Sequence, residues 1–193
     1  RRIDSPRGAY DATVRAIKGL VEAVATEAGC GVDATVGVGI PGAISPITGL
    51  VKNANSTWLI GKPLDEDLRN AVNRPVRLAN DANCFALSEA TDGAGQGYQM
   101  VFGVILGTGV GGGIAIDRRT HSGVNAIAGE WGHNPLPWPQ AVGGLDEHPG
   151  PTCYCGKSGC IETFLSGPGL ANDFAASGGT EIPATEIARL AKL

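Results

Sequence analysis

Aromatic side chains are scarce in this chain, which has four Phe, three Trp and three Tyr among 193 residues. Its interior must therefore be built from aliphatic and small residues, and thirty glycines point to close backbone approaches that a Cβ would prevent. Positive charge is also thin: fifteen Lys and Arg against nineteen Asp and Glu give a net charge of −4. With no basic stripe, a nucleic-acid partner has no electrostatic footing. Long apolar runs are missing as well. The longest, Val101 to Ile116, is interrupted by six glycines and falls short of the roughly 20 residues a bilayer-spanning helix needs. No hydrophobic signal segment opens the chain. These absences lead us to expect a soluble, cytoplasmic protein, with no membrane partner and room for one large domain or two small ones.

Cysteine is present in an odd number, five, and three of them stand together in Cys153-Tyr154-Cys155-Gly156-Lys157-Ser158-Gly159-Cys160. The interleaved glycines allow the backbone to turn three sulfurs toward one point. Upstream, Gly129-Glu130-Trp131-Gly132-His133 offers an imidazole as a fourth ligand, completing the inventory of a closed tetrahedral zinc site. Without the composition of a disulfide framework, such clustering favours metal over cystine; three unligated thiols are the alternative. A metal filling all four positions with protein has a structural role. It would also orient Glu130 and Glu162, whose carboxylates can accept bonds from the hydroxyls of a polyol if they are not simply solvated charges. Cys30 and Cys84 lie among apolar residues and are expected to be small buried hydrophobes.

Helical spacing of Val14, Ile17, Leu20, Val21, Val24 and Ala28 predicts a helix from about Tyr10 to Ala28, stopped by Gly29. A β-branched run, Thr35 to Ile40, predicts a buried strand. Leu64 to Val72 reads as a helix, Pro75 to Ala79 as a strand and Ala82 to Ala90 as a further helix, an alternation that belongs to a parallel sheet covered by helices. Beyond the glycine-rich Asp92 to Gly97, a candidate domain boundary, Met100 to Leu106 and Gly113 to Asp117 read as paired strands. Arg118 to Pro151 reads as loop, with helix from Ile161 onward to an end at Ala191-Lys192-Leu193 inside an apparent helix.

Two further constellations could carry chemistry. Gly107, Gly109 and Gly112 match a dinucleotide-binding G-x-G-x-x-G, but a strand follows instead of the helix that fingerprint needs. The segment is then either a structural β-turn or a cradle of bare N–H groups and the Thr108 hydroxyl for phosphate. Asp81, in Asn80-Asp81-Ala82-Asn83, closes a strand where open α/β sheets bind ligands. It is either a helix cap or a general base toward an attacking hydroxyl.

Taken in order, Gly39-Ile40-Pro41-Gly42, Asn53 to Trp58, Leu78 to Asn83, Leu106 to Gly113, Gly129 to His133 and Cys153 to Glu162 resemble the ROK family (repressors, open reading frames and kinases), specifically its bacterial sugar kinases. The resemblance covers essentially the whole chain. It implies an actin-like, ribonuclease-H-type fold of two α/β domains with an interdomain cleft, divided here into residues 1–95 and 96–193. It also implies ATP- and Mg²⁺-dependent phosphorylation of a hexose hydroxyl, a structural Zn²⁺, and a homodimer. Carried onto this sequence, it makes Asp81 the catalytic base and Gly42, Asn55, Asn80, Glu130, His133 and Glu162 the sugar contacts. Gly107, Thr108, Gly109 and Gly111 become the second phosphate loop, and His133, Cys153, Cys155 and Cys160 the zinc ligands. The Asn-Ser-Thr-Trp and Gly-Glu-Trp-Gly-His motifs are most similar to fructokinases and mannokinases, whereas Asn83 to Ala90 and the glycine hairpin are also similar to N-acetylglucosamine kinases.

The family's N-terminal phosphate hairpin and its glycine-rich adenosine segment have no counterpart here. The chain also opens without an initiator methionine, so it is expected to be an internal piece with both domains incomplete, unable to bind ATP tightly alone. Three alternatives stand beside the fructokinase expectation: a glucose or N-acetylglucosamine kinase, a sugar-sensing repressor, and a catalytically dead zinc-stabilised sugar binder.

Overall fold

The computed structural model describes residues 1–140 and 146–191. Lys192 and Leu193, at the expected helical end, lie outside the described residues. Two compact units emerge, Arg1–Phe85 with His121–Ala128, and Ala86–Thr120 with the described part of Gly129–Leu193.

In the first unit, helix α1 (Tyr10–Glu27) ends as its sequence predicts. Gly29 takes φ +64°, its N–H reaches Thr26 O at 3.2 Å, and the Cys30 N–H reaches Ala25 O at 2.9 Å. This paired closure satisfies the last carbonyls and requires a left-handed residue, which glycine supplies. Cys30 is consequently carried past the helix into solvent and is exposed, against the expectation of burial; Cys84 is only half-buried. Strand β1 (Val36–Ile40) is followed by the two-residue strands β2 (Ala43–Ile44) and β3 (Val51–Lys52), which pair antiparallel and which the sequence reading did not anticipate. Helix α2 (Leu64–Val72) and strand β4 (Val76–Asn80) fall within a residue of their predicted positions. β4 lies parallel to β1, with Val36 opposite Val76 and Ile40 opposite Asn80, as expected for alternating strands and helices.

This unit's core joins Ile40, Val51, Ala54, Leu59, Leu64, Leu68 and Val76, with Tyr10, Val14, Ile17 and Trp58 packed against them. Leu68 is 0 % exposed, and burial of such a side chain stabilises by about 1.5–3 kcal/mol. Polar pins complement the apolar contact. The Trp58 indole N–H donates to Thr13 Oγ1 at 3.0 Å, and the Tyr10 hydroxyl donates to Asp67 Oδ2 at 2.5 Å. Gly42 has φ +73°, and a Cβ there would lie 2.3 Å from the Lys52 carbonyl oxygen, so β2 and β3 can meet only around a glycine. The Lys52 ammonium donates to the Asn125 carbonyl, tying His121–Ala128 to this unit.

Helix α3 (Asp81–Asp92) begins in the first unit, and its later turns belong to the second. There Ala86 and Ala90 pack with Ala115 and Val101. Strands β5 (Met100–Leu106), β6 (Val110–Ile116) and β7 (Arg119–Thr120) form an antiparallel sheet in that order. The hairpin is longer than the sequence suggested. Gly111, Gly112 and Gly113 lie inside β6, opposite Ile105, Val104 and Gly103, and the turn contracts to Gly107–Gly109. The reason is steric: a Cβ on Gly112 would fall 2.8 Å from both Gly103 O and the Phe102 ring. Asp117 and Arg118, at φ +50° and +56°, make the tight turn from β6 to β7, as two-residue hairpin loops require.

The expected helix after Ile161 is present in pieces, α4 (Glu162–Leu165), α5 (Gly167–Ala176) and α6 (Ala184–Leu190). Ser166 separates the first two. Its backbone is extended and its hydroxyl caps α5 by accepting from the Gly169 N–H at 3.1 Å, as N-cap serines do.

Candidate functional site

At the head of α3 two polar neighbours divide the work. Asn80 Oδ1 accepts from the Asn83 N–H at 3.0 Å, three residues on, which is the N-cap bond. Its Nδ2 donates to the Gly42 carbonyl at 3.0 Å. The capping that the sequence allowed for Asp81 is therefore performed by Asn80. Asp81 stands at the first helical position, exposed, with Oδ1 accepting from the adjacent Ala82 N–H at 2.8 Å. A carboxylate here is favoured by the helix dipole and open to a ligand hydroxyl. Gly39 packs beside it, where a Cβ would make ordinary contact with Asp81 Cα and Cys84 Sγ at 3.8 Å. Burial, and then the Asp81 charge, push the Cys84 thiol up. Gly42, Asn80 and Asp81 are thus brought together. Asn55 is exposed on the turn after β3, its carbonyl accepting from the Thr57 N–H at 3.0 Å.

The second unit assembles the cysteine cluster. Thr152 bridges to Ser158, and the Cys153 N–H bonds Lys157 O at 2.7 Å, so the segment doubles back on itself. The donor atoms of His133, Cys153, Cys155 and Cys160 all lie within 4.8 Å of one another. Cys153 Sγ is 3.6 Å from His133 Nδ1, and Cys155 Sγ is 3.6 Å from Cys160 Sγ. Donors ligating one tetrahedral zinc stand about 3.8 Å apart, so the predicted ligand set fits that ion with Nδ1 as the histidine donor. Burial pushes the Cys160 thiol up to about 12, with the neighbouring thiols adding to the rise. In contrast, the Lys157 backbone amide holds Cys155 below the ordinary thiol value. A divalent cation would draw off these protons as it bound.

Glu162, immediately beyond the cluster, turns to the glycine hairpin. Its Oε2 accepts from the Val110 N–H at 2.9 Å and lies where a Cβ of Gly109 would come within 2.7 Å. The Gly167 N–H reaches Gly107 O at 2.7 Å, so both arms of the turn are held by the chain that follows the cysteines. Thr108 and Gly107 are exposed at its tip, while Gly109 and Gly111 are half-buried. Glu130 is exposed.

Two residues here were not anticipated. The Trp131 indole N–H donates to Gly111 O at 2.7 Å and its ring meets Phe102 edge-on at 6.2 Å, fixing the Glu130–His133 strip against β6. Gly132 lies so close that a Cβ would stand 2.1 Å from Val110 O. Tyr154 places its hydroxyl 3.0 Å from His133 Nε2, and burial, then the Glu162 charge, push the phenol up. Its position between two of the clustered cysteines was the one available signal. Two surface depressions, of 570 Å³ against α1 and 440 Å³ beside Gly97 and Tyr98, contain none of these residues.

A mixed α/β chain with a glycine hairpin braced by a Cys₃His centre, and an aspartate exposed at a strand-to-helix junction, defines a recognisable class. The chain belongs to the ROK family, whose model matches residues 1–193. It is 42 % identical over 191 residues to an N-acetyl-D-glucosamine kinase of Yersinia pestis, covering 97 % of this chain and 72 % of that one. It is 46 % identical over 172 residues to one of Escherichia coli O6:H1, covering 89 % and 56 %. The ROK hexokinase of Thermus thermophilus superposes with a TM-score of 0.79 at 29 % identity, over 98 % of this chain and 59 % of that one. A ROK family glucokinase of Streptomyces griseus, in complex with glucose and AMPPNP, gives 0.69 at 28 % identity over 98 % and 62 %. This chain therefore spans between about half and three-quarters of each of these relatives. No helix among the described residues is long and apolar enough to cross a membrane.

Proposed function

We propose that this chain carries the acceptor-activating and sugar-recognising residues of an ATP-dependent N-acetyl-D-glucosamine kinase of the ROK family. The arrangement at the head of α3 carries the reading. Because Asn80 supplies the cap, the Asp81 carboxylate remains available as a general base. It accepts the proton of a sugar hydroxyl while that oxygen attacks the γ-phosphorus of ATP and ADP departs. Catalysis of this kind rests chiefly on positioning and charge stabilisation. Gly107, Thr108, Gly109 and Gly111 offer backbone groups and one hydroxyl to the phosphates, with Gly107 and Thr108 exposed at the tip; the magnesium ion travels with the nucleotide. Asn55, Glu130, His133 and Glu162 recognise sugar hydroxyls, and Asn80 keeps the Gly42 loop in register with Asp81. Zinc held by His133, Cys153, Cys155 and Cys160 supplies rigidity to the segment that bears Glu162.

The choice of sugar follows the relatives. Local motifs favour fructose or mannose, but 42 % identity across 191 residues to proteins named N-acetyl-D-glucosamine kinase supports the N-acetylated hexose. The likeness to a ROK transcriptional regulator, at 23 % identity, speaks for shared fold alone. Coupled measurement of ADP release with N-acetylglucosamine, glucose, mannose and fructose tests the proposal. Preference for N-acetylglucosamine in kcat/KM is expected; turnover with none of the four would overturn it.

A further inference from the structure

Tyr154 is 83 % exposed, yet its hydroxyl is held by a neighbouring side chain. His133 Nε2 lies 3.0 Å away, the two rings meet edge-on at 5.1 Å and 85°, and burial, then the nearby Glu162 charge, push the phenol up. With Nδ1 facing Cys153 Sγ, a metal-bound His133 is protonated at Nε2 and donates from it. The Tyr154 oxygen thus accepts from the imidazole, as a sugar hydroxyl at the same place would.

From this geometry we infer that the Tyr154 hydroxyl occupies the position of a substrate hydroxyl, and that the sugar must displace it to reach His133. The inference rests on the sugar-binding reading above and adds to it a competitor built into the chain. Its backbone can stay still during the exchange. Tyr154 sits at the tip of a turn closed by the Gly156 N–H to Cys153 O bond at 3.0 Å, and Gly156 holds φ +87°. Rotation about χ1 swings so exposed a ring outward with little packing lost. Glu162 meanwhile keeps its bond to the Val110 N–H, so the exchange takes place beside a carboxylate already anchored to the glycine hairpin.

A site closed by its own side chain binds more weakly by the fraction of time it is closed. One hydrogen-bonded competitor of ordinary net strength, about 1 kcal/mol, corresponds to about 5-fold. The test is calorimetric titration of N-acetylglucosamine into the zinc-loaded protein and its Tyr154→Phe and Tyr154→Ala variants, without nucleotide. Both variants are expected to bind about 3- to 10-fold more tightly than the parent. In parallel, sugar added to parent protein labelled with ¹³C-tyrosine, of which there are three, is expected to shift the Tyr154 ring signal. Equal or weaker binding in both variants, or an unmoved Tyr154 signal at saturating sugar, overturns the inference while leaving the sugar-kinase reading intact. Failure of all three forms to bind any hexose overturns both.

Discussion

The Tyr10 hydroxyl shows how one polar contact joins two helices, since Asp67 on α2 receives it at 2.5 Å. Burial first, and then the bond to the Asp67 carboxylate, raise the Tyr10 pKa above the ordinary value of 10.0. The fold thus favours the protonated phenol. Its stabilisation is complete below about pH 10 and is lost as the pH climbs beyond that value. Tyr10→Phe should cost about 1 kcal/mol at neutral pH and should flatten the alkaline fall in stability, as measured by urea unfolding between pH 7 and 11. Undiminished alkaline sensitivity in the variant would reassign that fall to another group. Asp81 presents the opposite case, a carboxylate at a helix head whose capping duty its neighbour Asn80 has assumed.

At the scale of elements, this division makes a contrast testable by thermal unfolding. Asn80→Ala should destabilise by about 1 kcal/mol through the lost cap, and further because Gly42 O loses its donor; Asp81→Ala should cost less than half as much. Equal losses would contradict the assignment of the cap. Gly132→Ala should be severe, at more than about 2 kcal/mol, because its Cβ would stand 2.1 Å from a β6 carbonyl oxygen. The sequence disclosed such elements unevenly, for physical reasons. α1 and α2 were legible because their apolar residues recur at helical period and a left-handed residue, Gly29 or Asn73, follows each. The glycines of β6 misled, because a run of Gly reads as a turn until the strip pressed against it is known. β2 and β3, two residues each, are too short to leave a periodic trace. In the candidate site, the meeting of Cys153, Cys155 and Cys160 with His133 was readable from cysteine spacing. That Glu162 turns to Val110 and Tyr154 to His133 depends on how residues 52 and 21 positions apart meet.

At the scale of the molecule, the cysteine cluster stands in for aromatic bulk in a unit whose buried cluster of Ala86, Ala90 and Ala115 is built from small side chains. Purified protein should contain about one equivalent of zinc per chain, by elemental analysis. Its removal by chelator should release amide protection across residues 130–140 and 146–165 while leaving α1 and α2 protected, because metal binding and local folding are one equilibrium. Unchanged hydrogen exchange after chelation would contradict a stabilising metal. The apolar residues Met100, Phe102, Val104 and Leu106 of β5 are exposed, and this face should bind a hydrophobic dye in the 193-residue chain. The central claim, that Asp81 activates the acceptor hydroxyl, is tested most directly by comparing phosphoryl transfer from ATP to N-acetylglucosamine in the protein and its Asp81→Asn variant, both with native circular dichroism. The account predicts a fall of about 10²- to 10⁴-fold in kcat; a variant turning over within a few-fold of the parent would contradict it.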